Sequence, residues 1–178
     1  MGEPVVTRDH PMDSDLAAFH LPQPYPVPVN LPPDHRKGQL LSQAYAGQYS
    51  EMTALSQYVV HYEACGNATA AARALLGIGI VEMQHMDMIG SCMRQLGVSL
   101  ELKSGGQHPP YWCGRSVAYG KNLRDRLCLD IQAERACIAD YRKILCQLND
   151  AAIGALINRI IADEELHIAL LENLLKSA

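Results

Sequence analysis

The runs Ile80-Val81-Glu82-Met83-Gln84-His85 and Asp163-Glu164-Glu165-Leu166-His167 decide the fold of this chain. Each carries Glu-x-x-His inside a long stretch patterned for helix. Residues three apart on a helix stand about 5–6 Å apart at Cβ, so each run sets a carboxylate beside an imidazole. Upstream of each lies another Glu on an otherwise apolar helical stripe, Glu51 before Glu82 and Glu134 before Glu164, at separations of 31 and 30 residues. The two halves repeat: Glu51 to Glu134 is 83 residues and Glu82 to Glu164 is 82, and Tyr58 and Tyr141 each follow their Glu by seven. Four carboxylates and two imidazoles in matching halves form a ligand set for two metal ions inside a four-helix bundle.

Working outward, Asp34 to Ala64 reads as a first long helix, with Ala44, Gln48, Glu51, Leu55, Tyr58 and Tyr62 at three- and four-residue steps. Cys65-Gly66-Asn67 ends it, Gly66 suiting a C-terminal cap and Asn67 the next N-cap. The second helix runs to about Leu96 on the stripe Leu75, Ile78, Glu82, His85, Ile89, Met93 and Leu96, and Gly97 stops it. Residues 97–120 hold Gly105, Gly106, Pro109, Pro110 and Gly114 without a sustained period, as a long crossover requires. The third helix spans about Lys121 to Leu148 on Leu127, Ile131, Glu134, Ile138, Tyr141, Leu145 and Leu148. Asn149-Asp150 turns the chain into a fourth, carrying Ile153, Ile157, Ile160, Glu164, His167, Leu171 and Leu174. Two short-turn hairpins joined by one long crossover predict an all-α, ferritin-like bundle over residues 34–178.

Residues 1–33 differ. Eight of the ten prolines fall between Pro4 and Pro33, and Pro22, Pro24, Pro26 and Pro28 forbid helix and favour extended backbone. This stretch reads as an arm, either disordered or lying along the bundle or a neighbouring subunit. At 178 residues and 48% hydrophobic the rest can bury one sizeable core. The net charge of −4 and the absence of any like-charge block argue against nucleic acid as a partner. The longest apolar candidate, Ala68 to Ile80, is interrupted by Arg73, so no membrane span is expected. Met1 to Pro11 shows no apolar run, so no secretory signal is expected. The six cysteines include no Cys-x-x-Cys pair, which excludes a rubredoxin-type centre; reduced thiols in the cytoplasm are expected.

The ligand set has its own chemistry. Glu82 and His85 can bind one ion together, or Glu82 can bridge to the next; Glu164 and His167 can do the same from the other half. Glu51 and Glu134 cap one ion each or bridge. Oxygen and nitrogen donors without sulfur suit iron or manganese. Four ionised Glu in a core carry −4, and burying even one unpaired carboxylate costs several kcal/mol. Two divalent cations cancel that charge. A lone Glu-x-x-His reads better as surface or tolerated core polarity; the duplication with matched Glu partners favours the metal. Asp163, four residues before His167, reads as an outer acceptor for that imidazole or as a solvated Asp, and Val81 at the matching position leaves His85 to find another partner. Tyr58 and Tyr141 are candidates for hydrogen bonds to site carboxylates, for electron relay, or for packing alone. No other residue is singled out as catalytic.

The run Tyr49-Ser50-Glu51-Met52-Thr53-Ala54-Leu55-Ser56-Gln57-Tyr58 resembles the first helix of rubrerythrin-like proteins of the ferritin superfamily. So do Ile80 to His85, Ala133-Glu134-Arg135-Ala136-Cys137-Ile138-Ala139-Asp140-Tyr141, and Asp163 to His167. The second-helix run is also similar to manganese catalase. Over about residues 35–176 the resemblance implies a dinuclear iron or manganese site with Glu51, Glu82, His85, Glu134, Glu164 and His167 as ligands. It implies an oxidoreductase acting on hydrogen peroxide or dioxygen, and a homo-oligomer, a dimer in the first instance. There are departures. The rubredoxin domain of rubrerythrins is missing, so a peroxidase needs an external electron donor. An additional site Glu of rubrerythrins has no counterpart. In manganese catalases the fourth-helix Glu can sit outside the ligand shell, which leaves Glu164 open. The alternative is a non-enzymatic iron-binding or coat-type structural protein.

Overall fold

The computed structural model describes residues 16–66, 69–105 and 109–178. Among them five α-helices form: α1 His35–Ala46, α2 Glu51–Cys65, α3 Ala70–Gln95, α4 Leu123–Leu148 and α5 Ala151–Leu175. One short 3₁₀ turn, Gly114–Ser116, lies in the crossover, and a single antiparallel bridge joins Lys103 to Tyr111. The helices start where short polar side chains satisfy orphan N–H groups. Asp34 accepts from the Lys37 amide, Thr69 from Ala72, Asn122 from Asp125, and Asp150 from Ala152 and Ile153. Asn149 closes α4 in the left-handed conformation, φ 45°, and so makes the two-residue turn into α5.

One expected helix is two. The stretch from Asp34 to Ala64 breaks at residues 47–50, where Gly47 turns extended and its amide still bonds the Gln43 carbonyl at 2.9 Å. Ser50 then caps α2 and returns its own hydroxyl to the Gly47 carbonyl at 2.9 Å. This local bonding outcompetes continuation, and it makes Glu51 the first residue of a helix rather than the middle of one. The expected N-cap Asn67 lies outside the described residues; Thr69 does that work.

Two apolar clusters sit at opposite ends of the bundle. One gathers Leu41, Ile89, Met93, Leu96, Ile144, Leu148, Ile153 and Ile157; the other Tyr58, Leu75, Ile78, Leu127, Ile131 and Leu171. Along α3 and α4 the chain passes from the second cluster to the first, and along α2 and α5 it passes back. The hairpins α1/α2–α3 and α4–α5 are therefore antiparallel, while α3 and α4 are parallel. A 26-residue helix is about 39 Å long, so the link from α3 to α4 must travel the bundle's length, and it occupies residues 96–122. It is pinned to α2: Trp112 Nε1–H donates to Thr53 Oγ1 at 2.9 Å, and the Ala118 amide to Gln57 Oε1 at 2.9 Å. His61, fully buried, bridges the Ala118 carbonyl at 2.7 Å to Asp130 of α4 at 2.8 Å.

Of the N-terminal stretch, residues 1–15 lie outside the described residues. Residues 21–33 hold no regular secondary structure, with bends at residues 22, 23 and 30 and Asn30 at φ 57°, and they contact the same molecule's bundle. Gln95 holds the Pro28 carbonyl and the Leu31 amide at 3.0 and 3.1 Å, and the Asp34 amide bonds the Leu96 carbonyl at 3.0 Å. Tyr25 and Leu31 pack against the first cluster and Phe19 against the second.

Candidate metal centre

Between the two apolar clusters lies one polar layer, made of Glu51, Glu82, His85, Glu134, Glu164 and His167. All six are buried, none more than 2% exposed. α2, α3, α4 and α5 contribute 1, 2, 1 and 2 of them, each on the stripe that otherwise packs the core. Their donor atoms converge in two overlapping groups: Glu51, Glu82, His85 and Glu164, and Glu82, Glu134, Glu164 and His167. Within each group the ligand atoms lie within 4.8 Å of one another. Glu82 and Glu164 belong to both groups, so both stand between the two histidines.

Both imidazoles turn Nδ1 toward the carboxylates. His85 Nδ1 lies 3.3 Å from Glu164 and 3.7 Å from Glu51 and from Glu82. His167 Nδ1 lies 2.9 Å from Glu82, 3.0 Å from Glu164 and 3.7 Å from Glu134. Five inward atoms have no hydrogen-bond partner: Glu51 Oε2, both oxygens of Glu82, His85 Nδ1 and Glu164 Oε1. Orphan buried polar atoms are costly and rare, and five aimed at one space ask for a cation. The donor set, four carboxylates and two imidazoles without a thiolate, fits a dinuclear iron or manganese site.

Electrostatics divides the carboxylates. Burial, then the Glu82 charge, pushes Glu51 up from 4.5 to about 8. Burial and the Glu164 and Glu82 charges raise Glu134 well above its ordinary value. For Glu82, burial and the Glu164 charge push upward, but the facing imidazoles of His167 and His85 outweigh them and hold it below the usual range. Burial likewise opposes the ionised form of Glu164, and His85 and His167 outweigh it. Both histidines are raised well above 6.5, because facing carboxylates overcome desolvation. Metal-free, the layer favours protons on His85, His167, Glu51 and Glu134 and disfavours them on Glu82 and Glu164.

The flanking tyrosines cross over. Tyr141 of α4 donates to Glu51 of α2, and Tyr58 of α2 donates to Glu134 of α4. Each hydroxyl therefore serves the other half's Glu, and the pseudo-twofold repeat is a reciprocal clasp rather than packing alone. Asp163 does not serve His167, the imidazole its spacing predicts. It lies on the same helix as His167 yet serves His85, with Oδ2 3.2 Å from that ring's Nε2. A fourth-helix residue one turn back points across the bundle, not along its own helix. His167 instead gives Nε2 to the Phe19 backbone carbonyl at 2.8 Å.

The sequence reading missed three participants. Tyr25 donates to Asp163 at 2.6 Å; Arg159, only 9% exposed, pairs with Asp163 at 2.6 Å; and the Phe19 carbonyl meets His167. Arg159 had one available signal, its place four residues before Asp163 on one helix face. A backbone carbonyl in a proline-rich stretch leaves none.

Fold and donor set together define the class: a ferritin-like four-helix bundle whose buried carboxylate–histidine layer fits a di-metal centre. The manganese catalase KatB from Anabaena shares this fold, with a TM-score of 0.78 at 20% identity, over 89% of this chain and 80% of that one. The bacterioferritin of Rhodobacter capsulatus, described with a metal-free dinuclear site and haem iron, aligns with a TM-score of 0.66 at 25% identity, over 83% of this chain and 88% of that one. No family model and no curated protein matches the sequence. Among the described residues no helix is long and apolar enough to cross a membrane.

Proposed function

We propose that this chain is a di-metal oxidoreductase acting on hydrogen peroxide or dioxygen, with iron or manganese held by Glu51, Glu82, His85, Glu134, Glu164 and His167. The observation that carries the reading is the overlap of the two donor groups at Glu82 and Glu164. Glu51 and His85 would hold one ion, Glu134 and His167 would hold the other, and Glu82 and Glu164 would serve both. A metal pair supplies two-electron redox chemistry, shared between its ions. The protein's part is to keep the centre dry between two apolar clusters, to orient both imidazoles by Nδ1, and to hold Glu51 and Glu134 through tyrosine hydroxyls. The likeness of the fold to a manganese catalase favours peroxide disproportionation, which needs no external donor. With iron, peroxide reduction draws on a separate electron donor. The six free cysteines suit the reducing cytoplasm.

The test is metal analysis of the purified protein, with peroxide consumption followed with and without reductant. Oxygen evolution from peroxide without reductant is the expected result. Consumption only with reductant assigns a peroxidase. Metal-loaded protein inert to peroxide and dioxygen alike overturns the enzymatic reading and leaves a metal-binding protein of the bacterioferritin kind.

A further inference from the structure

We propose that residues 19–25 are part of the metal centre, a strap that fixes the orientation of both histidines and is itself locked down by Arg159; this rests on the dinuclear reading above. The case begins with the outer nitrogens. A ring that offers the Nδ1 lone pair to a metal must carry its proton on Nε2, and that N–H needs an acceptor. For His167 the acceptor is the Phe19 carbonyl at 2.8 Å. A carbonyl only accepts, so it selects the one neutral tautomer that leaves Nδ1 free. For His85 the acceptor is Asp163 Oδ2 at 3.2 Å.

Asp163 is in turn held by the same segment. The Leu21 amide donates to its Oδ1 at 2.7 Å, and the Tyr25 hydroxyl to its Oδ2 at 2.6 Å. Both histidines of the centre thus take their outer partner from residues 19–25, one directly and one through Asp163. The bundle makes room for this contact. A methyl group on Gly77 of α3 would collide with the Phe19 ring, so the strap's first anchor depends on a glycine in mid-helix.

Arg159 is the lock. Its Nη2 donates to the Leu21 carbonyl at 2.6 Å and its Nε to the Gln23 carbonyl at 3.0 Å. Its Nη1 pairs with Asp163 at 2.6 Å, and the guanidinium stands over the Tyr25 ring, 4.4 Å from the centroid. One planar fork therefore joins the strap's backbone, its aromatic ring and the carboxylate that serves His85, a geometry lysine cannot reproduce. Because the strap favours the ring orientation that presents Nδ1 to a metal, bound metal must favour the docked strap by the same factor.

The experiment uses the full chain and two variants. Tyr25→Phe removes the hydroxyl and keeps the ring over Arg159; Arg159→Lys keeps the charge and loses the fork. Mn(II) affinity is read by competition with a chelator. Amide hydrogen exchange at Leu21 is read with and without Mn(II). In the wild type, Mn(II) is expected to slow Leu21 exchange at least about tenfold. In Tyr25→Phe, Mn(II) binding is expected to weaken by about 10–100-fold, the range usual for lost outer-shell partners, and the slowing to shrink with it. A merely structural Tyr25 lowers stability without moving Mn(II) affinity, and that result overturns the strap. If Tyr25→Phe does not fold, Arg159→Lys decides by the same two readouts. A wild-type protein that binds neither Mn(II) nor Fe(II) overturns the dinuclear reading, and the strap's role with it. Two bound ions with unchanged affinity in the variants overturn the strap alone.

Discussion

Glu82 and Glu164 each face both histidines, whereas Glu51 and Glu134 each face one. Removing a shared carboxylate therefore damages both ion sites, and removing a terminal one damages a single site. We expect Glu51→Ala or Glu134→Ala to lower the metal content from two ions to about one per chain, and Glu82→Ala to lower it toward zero, by elemental analysis of freshly loaded protein. Two retained ions in Glu51→Ala would remove Glu51 from the ligand set. The tyrosine clasp gives a second expectation. Tyr141 and Glu51 are both buried, so Tyr141→Phe leaves a buried carboxyl short of a donor, at a cost of about 1–3 kcal/mol in urea unfolding of the metal-free protein. At this scale the six donors were legible because metal chemistry restricts them to a few residue types, and each interrupts an apolar stripe. The direction of Asp163 was not: which neighbour a side chain reaches across a bundle depends on helix rotation, which spacing along one helix does not contain. Tyr25 was hidden by the same kind of gap, since an extended proline-rich stretch has no period to read.

The break between α1 and α2 changes what holds Glu51. A residue in mid-helix is held by hydrogen bonds on both sides, but a first-turn residue depends on its cap. Ser50 accepts from Thr53 and is 1% exposed, so water does not replace it readily. Ser50→Ala is expected to cost about 1 kcal/mol, the usual value of such a cap. In a chain of this size that lowers Tm by about 2–4 °C, read by circular dichroism. An unchanged Tm would mean that tertiary contacts alone hold the start of α2. The break was partly written in the sequence: Gly47 followed by Ser50 is a stop and a start. The apolar steps through Ala44, Glu51 and Tyr58 concealed it, because they keep helical phase across the interruption. The hairpins and the long crossover were more legible, since glycine, proline and lost periodicity coincide over residues 97–120, and two parallel helices demand a link of that length.

Across the whole molecule, the buried layer must be neutral, and it has two ways to be so. Two divalent ions can cancel its four carboxylate charges. Protons offer the competing solution, since burial raises Glu51 and Glu134 and the facing carboxylates raise His85 and His167. Metal uptake must displace those protons, so affinity rises with pH. The metal-free fold responds in the opposite sense. Folded Glu51 keeps its proton up to about 8, while the unfolded chain releases it near 4.5. Between those values the folded state binds more protons, so stability falls as pH rises. The raised histidines act in the same direction, losing their contribution as pH climbs through their folded values above 6.5. Glu82 and Glu164 are depressed, so what they add is present above 4.5 and lost only at lower pH, outside this window. The difference in Tm between metal-loaded and metal-free protein at fixed free metal should therefore widen steadily from pH 5 to pH 8. Widening follows from the affinity term, because the loaded form gains by mass action over a metal-free baseline that both forms share. Paired thermal melts at unit pH steps measure it. A gap independent of pH would mean that metal uptake does not displace protons from this layer.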